Sequence, residues 1–316
     1  MTTIVSRPFT GSDDLALLID FARQQTIARA PALAYMHPGD VAWQLYLATS
    51  PVAFECIHLW FEDGTLAGYA IFEPPLHSAF DLRNDRAAES GLLEKIIAWI
   101  EARRRGAYRP DEEIPIAYSS LGPGTVSTTC LESDLDRAEA LKRHGFVRTE
   151  LHGVRYRRSL REPIPEVPLP AGYRVRHATD ADIEARAELH REAWSVWGPS
   201  RFSANRYRRL RETPGYRQEL DIVVERAEGQ LVSYCICWAD EASGVGIFEP
   251  VGTSPDHTGR GLSRVAIHEG LRRMRALGLH TALIGTSSVN VRALALYPSC
   301  GFSFVEREDF WAKPVL

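Results

Sequence analysis

The stretch Arg161-Glu162-Pro163-Ile164-Pro165-Glu166-Val167-Pro168-Leu169-Pro170 packs four prolines into eight residues. Proline has no amide donor and a fixed φ, so such a stretch leaves both helix and sheet and reads as a stiff, extended linker. It constrains the fold strongly because the chain begins in the same way on either side of it. Arg7-Pro8-Phe9-Thr10-Gly11-Ser12-Asp13 and Arg176-His177-Ala178-Thr179-Asp180-Ala181-Asp182 both read Arg-x-x-Thr-x-x-Asp, at an offset of 176 − 7 = 169. In each copy a short apolar strand precedes the Arg, and the Thr or Asp suits the cap of a following helix.

Two further echoes keep the same order. Gly64-Thr65-Leu66-Ala67-Gly68-Tyr69 and Gly229-Gln230-Leu231-Val232-Ser233-Tyr234 share Gly-x-Leu-x-x-Tyr, a hairpin turn feeding a strand, at an offset of 229 − 64 = 165. His144-Gly145-Phe146 parallels Cys300-Gly301-Phe302 at 301 − 145 = 156. Collinear matches with drifting offsets point to a duplication. The expected organisation is a domain over residues 1–160, a linker over 161–172 and a second domain over 173–316. Each half reads strand, helices, strands, helix, strand, helix, strand: an α/β chain with a mixed sheet covered by helices, built twice. In the first half Leu92, Leu93, Ile96, Ile97 and Ile100 form an amphipathic stripe, and Arg103-Arg104-Arg105 falls where a helix C-terminus favours cations.

Bulk properties exclude several classes. A chain of 316 residues, 45% hydrophobic and 25% charged with net charge −4, has the composition of a soluble globular protein. That charge gives no reason to expect nucleic-acid or membrane binding. No uninterrupted apolar stretch approaches a membrane span and the first residues lack a signal-peptide core, so a cytoplasmic location is expected. The cysteines Cys56, Cys130, Cys235, Cys237 and Cys300 include no Cys-x-x-Cys pair, which argues against a disulfide framework and a zinc site. No metal is expected.

The chemistry concentrates near the end. Asp256-His257-Thr258-Gly259-Arg260-Gly261-Leu262-Ser263 stands at a strand-to-helix junction. Gly259 and Gly261 allow the backbone close to a ligand, and the helix starting near Leu262 aims free N–H groups at an anion such as a pyrophosphate. A plain glycine-rich turn is the bland alternative. Further on, Asn290-Val291-Arg292-Ala293-Leu294-Ala295-Leu296-Tyr297 places Asn290, Ala293 and Tyr297 on one helical stripe before Gly301-Phe302. Taken alone, Tyr297 also suits ordinary core packing under Phe302.

Together these phrases resemble the GNAT superfamily of acyl-CoA-dependent N-acyltransferases, and the repeat resembles its tandem members, with the two-domain arrangement of the mycothiol synthases. The resemblance is motif-specific over roughly Glu249 to Phe302. It implies two tandem GNAT folds, each a mostly antiparallel mixed sheet covered by helices, with acetyl-CoA as co-substrate bound by the second. Thr258, Gly259, Arg260, Gly261, Leu262 and Ser263 would hold the pyrophosphate. Phe248-Glu249-Pro250-Val251-Gly252-Thr253 would be a splayed strand, its proline marking an edge or bulge, with Val251, Gly252 and Thr253 along the pantetheine. Asn290 would bond the pantetheine amides and Ala293 would leave room for them. Tyr297 would protonate the leaving thiolate, and Glu249, with Asp240 and Glu241 as rivals, would deprotonate the amine.

Departures from the family pattern are Thr258 in place of Gln or Arg, Ser263 in place of Gly or Ala, and Pro298 near the helix end. The aromatics of Trp194-Ser195-Val196-Trp197-Gly198-Pro199-Ser200-Arg201-Phe202 either line an acceptor pocket or cover the domain interface. In the first half, Phe72-Glu73-Pro74-Pro75-Leu76-His77-Ser78-Ala79-Phe80 and Asp81-Leu82-Arg83-Asn84-Asp85 carry no glycine pair. Counting back 156 places, Tyr297 maps to Leu141 and Asn290 to Asp134, so that copy is expected to be silent. The expected partner is a small-molecule amine, with a homodimer left open. The alternatives are a non-catalytic acyl-CoA sensor or scaffold, and a protein N-acetyltransferase.

Overall fold

The structure, a computed structural model, describes residues 4–46, 54–83, 91–109 and 112–315. The first half runs β1 (Ile4–Pro8), α1 (Ser12–Arg29), α2 (Pro38–Leu45), β2 (Ile57–Glu62), β3 (Thr65–Glu73), β4 (His77–Leu82), α3 (Leu92–Ala107), β5 (Thr125–Leu131), α4 (Leu135–Arg143) and β6 (Val147–Ser159). The second repeats that order as β7 (Tyr173–His177), α5 (Ile183–Trp194), α6 (Ala204–Arg211), β8 (Asp221–Arg226), β9 (Leu231–Asp240), β10 (Val245–Thr253), α7 (Leu262–Ala276), β11 (Thr281–Ser287), α8 (Val291–Ser299) and β12 (Ser303–Pro314).

All twelve strands form one sheet in the order β1-β2-β3-β4-β5-β12-β6-β11-β10-β9-β8-β7. Neighbours are antiparallel except β4 with β5 and β10 with β11, which the intervening helices α3 and α7 make parallel. The halves exchange their last strands. β12 lies between β5 and β6, and β6 lies between β12 and β11. The packing follows the exchange: Val154 and Tyr156 of β6 join the core of the second half, while Trp311 of β12 joins that of the first.

The duplicated phrases build equivalent joints. Arg176 donates two hydrogen bonds of 2.6 and 2.7 Å to Asp182, whose carboxylate also accepts from the Thr179 amide and hydroxyl at 2.7 and 2.8 Å. In the first half the acid is Asp14 rather than Asp13. Arg7 donates to it at 2.7 and 2.6 Å, and the Thr10 amide and hydroxyl at 2.7 and 2.8 Å. Gly11, at φ 140°, carries the chain into the helix and puts the acid one residue later. Tyr69 and Tyr234 are both fully buried on the strand that leaves each hairpin turn. Gly145 and Gly301 both end a helix in the left-handed region, at φ 79° and 80°.

The amphipathic stripe Leu92, Leu93, Ile96, Ile97 and Ile100 is buried as its spacing implies. Arg104 and Arg105 fall in the last turn of α3 as expected, and Arg104 also turns inward, pairing with Glu112 and donating to the Thr125 carbonyl at 2.7 Å. The proline-rich stretch has no regular structure and lies against α7, where the Pro165 carbonyl meets His268 Nδ1 at 3.0 Å. Cys235 and Cys237 sit in the core of the second half.

Because each half lacks a central strand without the other, residues 1–160 and 161–316 produced separately should each fail to fold cooperatively, and co-expression should restore one transition. Thermal melts followed by circular dichroism check this; either fragment melting like the full chain would contradict it.

Candidate active site

The site begins where a parallel pair gives out. β10 and β11 are paired only from Val245 to Phe248 against Thr281 to Ile284. Beyond that point β10 bulges against β9, skipping Glu249 and Pro250, because Pro250 has no N–H for the ladder. β11 stays paired with β6 along its whole length, from Thr281 to Ser287. The proline thus marks a bulge on an interior strand, not an edge. The divergence opens a cavity of about 470 Å³ lined by Glu249, Val251, Asn290 and Tyr297 from the second half, and by Asp40, Glu73 and Tyr118 from the first.

The glycine loop joins β10 to α7. Gly259 and Gly261 have φ of 76° and 78°, a region costing other residues roughly 1–2 kcal/mol. The amides of Gly259, Arg260, Gly261, Leu262 and Ser263 precede the first helical hydrogen bond, from Val265 N–H to the Gly261 carbonyl at 3.1 Å. They form a cluster of helix N-terminal donors suited to a phosphate. The side chains of this loop mostly work inward. Leu262 is core, and the Thr258 hydroxyl donates to the Pro255 carbonyl at 3.0 Å. Ser263, Thr253 and Ser233 form a hydroxyl chain at 2.6 and 2.7 Å that ties α7 to β10 and β9. Arg260 reaches the Tyr173 hydroxyl at 3.2 Å, which also meets His257 Nδ1 at 3.1 Å. Gly252 serves packing, since a Cβ there would meet the Tyr234 ring at 2.5 Å.

On α8, Asn290 lines the cavity and also caps its own helix, its Oδ1 accepting from the Ala293 amide at 3.3 Å. Ala293 is buried beneath. Pro298 lies in the last turn, which still closes through Cys300 N–H to the Leu296 carbonyl at 3.1 Å. Tyr297 packs on Tyr156 and Phe302, with ring centroids at 5.9 and 6.4 Å, and it also lines the cavity. Burial, then the nearby Glu249 charge, pushes its phenol well above the ordinary range, so it stays protonated. Burial pushes the Glu249 carboxyl up to about 8, with Asp40 adding to the rise and Arg155 opposing it. The rivals are engaged elsewhere. Asp240 accepts from Arg23 at 2.7 Å and Glu241 pairs with Arg217 at 2.5 Å.

Several lining groups carry no local signal in the sequence. Asp40 comes from α2 and Glu73 from the end of β3. Arg155 of β6 donates to Glu308 of β12 at 2.9 and 2.6 Å. His77 stacks on Tyr118 with centroids at 5.4 Å, and both pack on Phe310. The tryptophan segment divides: Trp194 and Trp197 line the cavity, while Phe202 packs on Trp43 and Tyr46 of the first half.

The stretch from α5 through the glycine loop to the end of α8 has known relatives. Residues 184–302 match the acetyltransferase (GNAT) family. The whole fold agrees. A GCN5-related N-acetyltransferase from Sphaerobacter thermophilus superposes with a TM-score of 0.66 at 17% identity, covering 99% of this chain and 96% of that one. A tandem GNAT protein from the clavulanic acid biosynthesis pathway gives 0.66 and 17%, covering 99% of both. Residues 184–302 thus carry the match to the GNAT family, and the fold of the whole chain is similar to that of a solved tandem GNAT protein. Among sequence relatives, the mycothiol acetyltransferase of Saccharomonospora viridis is 27% identical over 186 residues, 56% of this chain and 60% of that protein. That of Thermomonospora curvata is 27% identical over 260 residues, 81% of this chain and 82% of its own length.

The first half has the same parallel pair with the gap filled. β4 and β5 pair only at His77 and Ser78. At the place of Ala293 stands Arg137 (293 − 156 = 137), whose Nη1 donates to the Phe80 and Thr129 carbonyls just past the last paired residues, at 3.2 and 3.5 Å. Its guanidinium lies 3.4 Å from the Tyr35 ring centroid and 3.9 Å from that of Phe80. Leu141 is core and Asp134 caps α4, accepting from the Arg137 amide at 3.0 Å. Asn84 and Asp85 lie outside the described residues.

Two outcomes follow from this geometry. Gly261→Glu, which puts a side chain and a negative charge among the loop amides, should abolish acetyl-CoA binding in calorimetric titration. Glu249 holds a proton in the folded chain that the unfolded chain releases between pH about 4.5 and about 8. Stability therefore falls as pH rises through that window. Melting temperatures measured across it should decline less in Glu249→Gln than in the parent.

Proposed function

We propose that the chain transfers an acetyl group from acetyl-CoA to a primary amine of a small molecule, directly, within a ternary complex. The observation that carries this reading is the splay between β10 and β11, which opens a cavity holding a high-pKa carboxyl and a protonated phenol, while the loop that leaves the same β10 presents a cluster of helix N-terminal amides. The mycothiol acetyltransferase relatives favour a small-molecule acceptor.

The pyrophosphate lies on the amides of Gly259 to Ser263, with Arg260 adding charge. The pantetheine follows the gap past Val251, Gly252 and Thr253, across from Asn290 and over Ala293. Glu249 takes a proton from the acceptor ammonium. A carboxyl near 8 suits this step better than an ordinary one, because it lies closer to the pKa of an amine. The neutral nitrogen attacks the thioester carbon, the tetrahedral species breaks its C–S bond, and Tyr297 protonates the departing sulfur. Glu249 passes that first proton to solvent, takes the second N–H proton from the tetrahedral species and returns it to the phenol, so ammonium and thioester give amide, thiol and one released proton. Arg137 and Leu141 close the equivalent groove of the first half, which binds no acetyl-CoA and instead forms the acceptor wall.

Calorimetric titration should find one acetyl-CoA per chain, and Ala293→Arg, copying the filled groove, should remove it; two sites would overturn the silent first half. Tyr297→Phe should lower kcat on the order of 10²–10⁴-fold with acetyl-CoA affinity retained. Unchanged thiol release would remove Tyr297 from the chemistry. The pH profile of kcat/KM should rise through about 8, and Glu249→Gln should flatten that limb. A chain that binds acetyl-CoA but releases no thiol with either small amines or peptides is a sensor, and peptide turnover exceeding that of small amines would indicate protein acetylation.

A further inference from the structure

We infer that the acceptor is a polybasic amine, carrying a second cationic nitrogen held by Asp40 and Glu73 beside the nitrogen that is acylated. This rests on the transfer reading above and names its acceptor class. The cavity of about 470 Å³ opens into a second recess of about 640 Å³, lined also by Trp43, Tyr46 and His190, and the two share Asp40, Glu73 and Glu249 at their junction. Carboxylates from α2, β3 and β10 thus converge where an acceptor must pass to reach the thioester.

The protein offsets their charge only in part, through Arg155, which opposes the effect of burial on Asp40 and Glu249. Among the described residues lining the two recesses, Arg155 is the one Arg or Lys, and it is committed to Glu308 and to the Tyr35 carbonyl at 2.9 Å. Burial lowers the pKa of His77, and burial with Arg186 brings His190 down to about 3, so neither ring supplies positive charge at neutral pH. The Asp40 carboxylate accepts from the His37 amide at 2.8 Å. The reacting nitrogen cannot balance this charge either, since it must be neutral to attack. Once Glu249 has taken its proton, Asp40 and Glu73 still face the junction. A second ammonium that keeps its charge throughout the reaction satisfies both, and the rings of Tyr118, Trp43, Tyr46 and Trp194 present faces that also favour a cation.

Thiol release from acetyl-CoA should be measured with putrescine and spermidine beside the length-matched monoamines n-pentylamine and 4-aminobutanol. The expected kcat/KM is on the order of 10²-fold higher for the polyamines. Glu73→Gln and Asp40→Asn should erase that preference through KM while leaving acetyl-CoA affinity unchanged; Asn at 40 retains an oxygen for the His37 amide. Monoamines turned over equally well, or a preference that survives both variants, would overturn the inference. If no amine is acetylated, the transfer reading fails, and titration of spermidine into the CoA-loaded chain decides this one alone. Binding that Glu73→Gln abolishes supports the acidic junction, and absence of binding refutes it.

Discussion

The antiparallel pairing of β6 with β12 is the contact on which the rest of the molecule leans. It joins the ends of the two repeats, Ser303 opposite Arg157 at one limit and Ala312 opposite Val147 at the other. Each strand thereby occupies the place that its own repeat would have left for a partner, and each core takes in a side chain from the other half. The same pairing sets Arg155 against Glu308, Tyr156 against Tyr297, and Phe310 against His77 and Tyr118. The candidate site is therefore walled by strands that meet only because the exchange has taken place.

Within that frame the two repeats differ by what fills one gap. Both have a parallel pair that separates after a few residues, opening a gap beside backbone carbonyls. In the first half a buried guanidinium meets two of them and the Tyr35 and Phe80 rings enclose it. In the second, a methyl group at Ala293 leaves the space open. One position thus separates a filled gap from an open one, and an open gap beside a strand is a place where a ligand with amides can lie. Burial then tunes the open cavity: it raises Glu249 to about 8 and holds Tyr297 protonated, placing a proton acceptor and a proton donor in one space.

Features encoded within a few residues were legible beforehand. The GNAT resemblance and the tandem mixed sheet rested on Gly259, Gly261, Asn290, Ala293, Tyr297 and the repeated phrases, all short-range patterns of turn, helix face and cap. The local reading slipped where one residue mattered: Asp14, not Asp13, receives Arg7 and Thr10, because Gly11 shifts the helix start. The place of Arg104 near a helix end was legible, but it said nothing of the Thr125 carbonyl and Glu112 waiting inside. Asp40, Glu73, Arg155 and Glu308 gave no signal at all, since each is an ordinary charged residue until distant elements bring it to the cavity.

The sequence by itself determined the repeat, its proline-rich divide, the glycine loop poised at a helix N-terminus and the stripe of side chains on α8. These follow from φ preferences, missing amide donors and helical periodicity, which act over neighbouring residues. Only the tertiary structure decided that the repeats trade their final strands, that Arg137 closes one groove while Ala293 opens the other, and that acids from both halves face a shared cavity. Those outcomes depend on long-range pairing and on desolvation, which exist only once the whole sheet has formed.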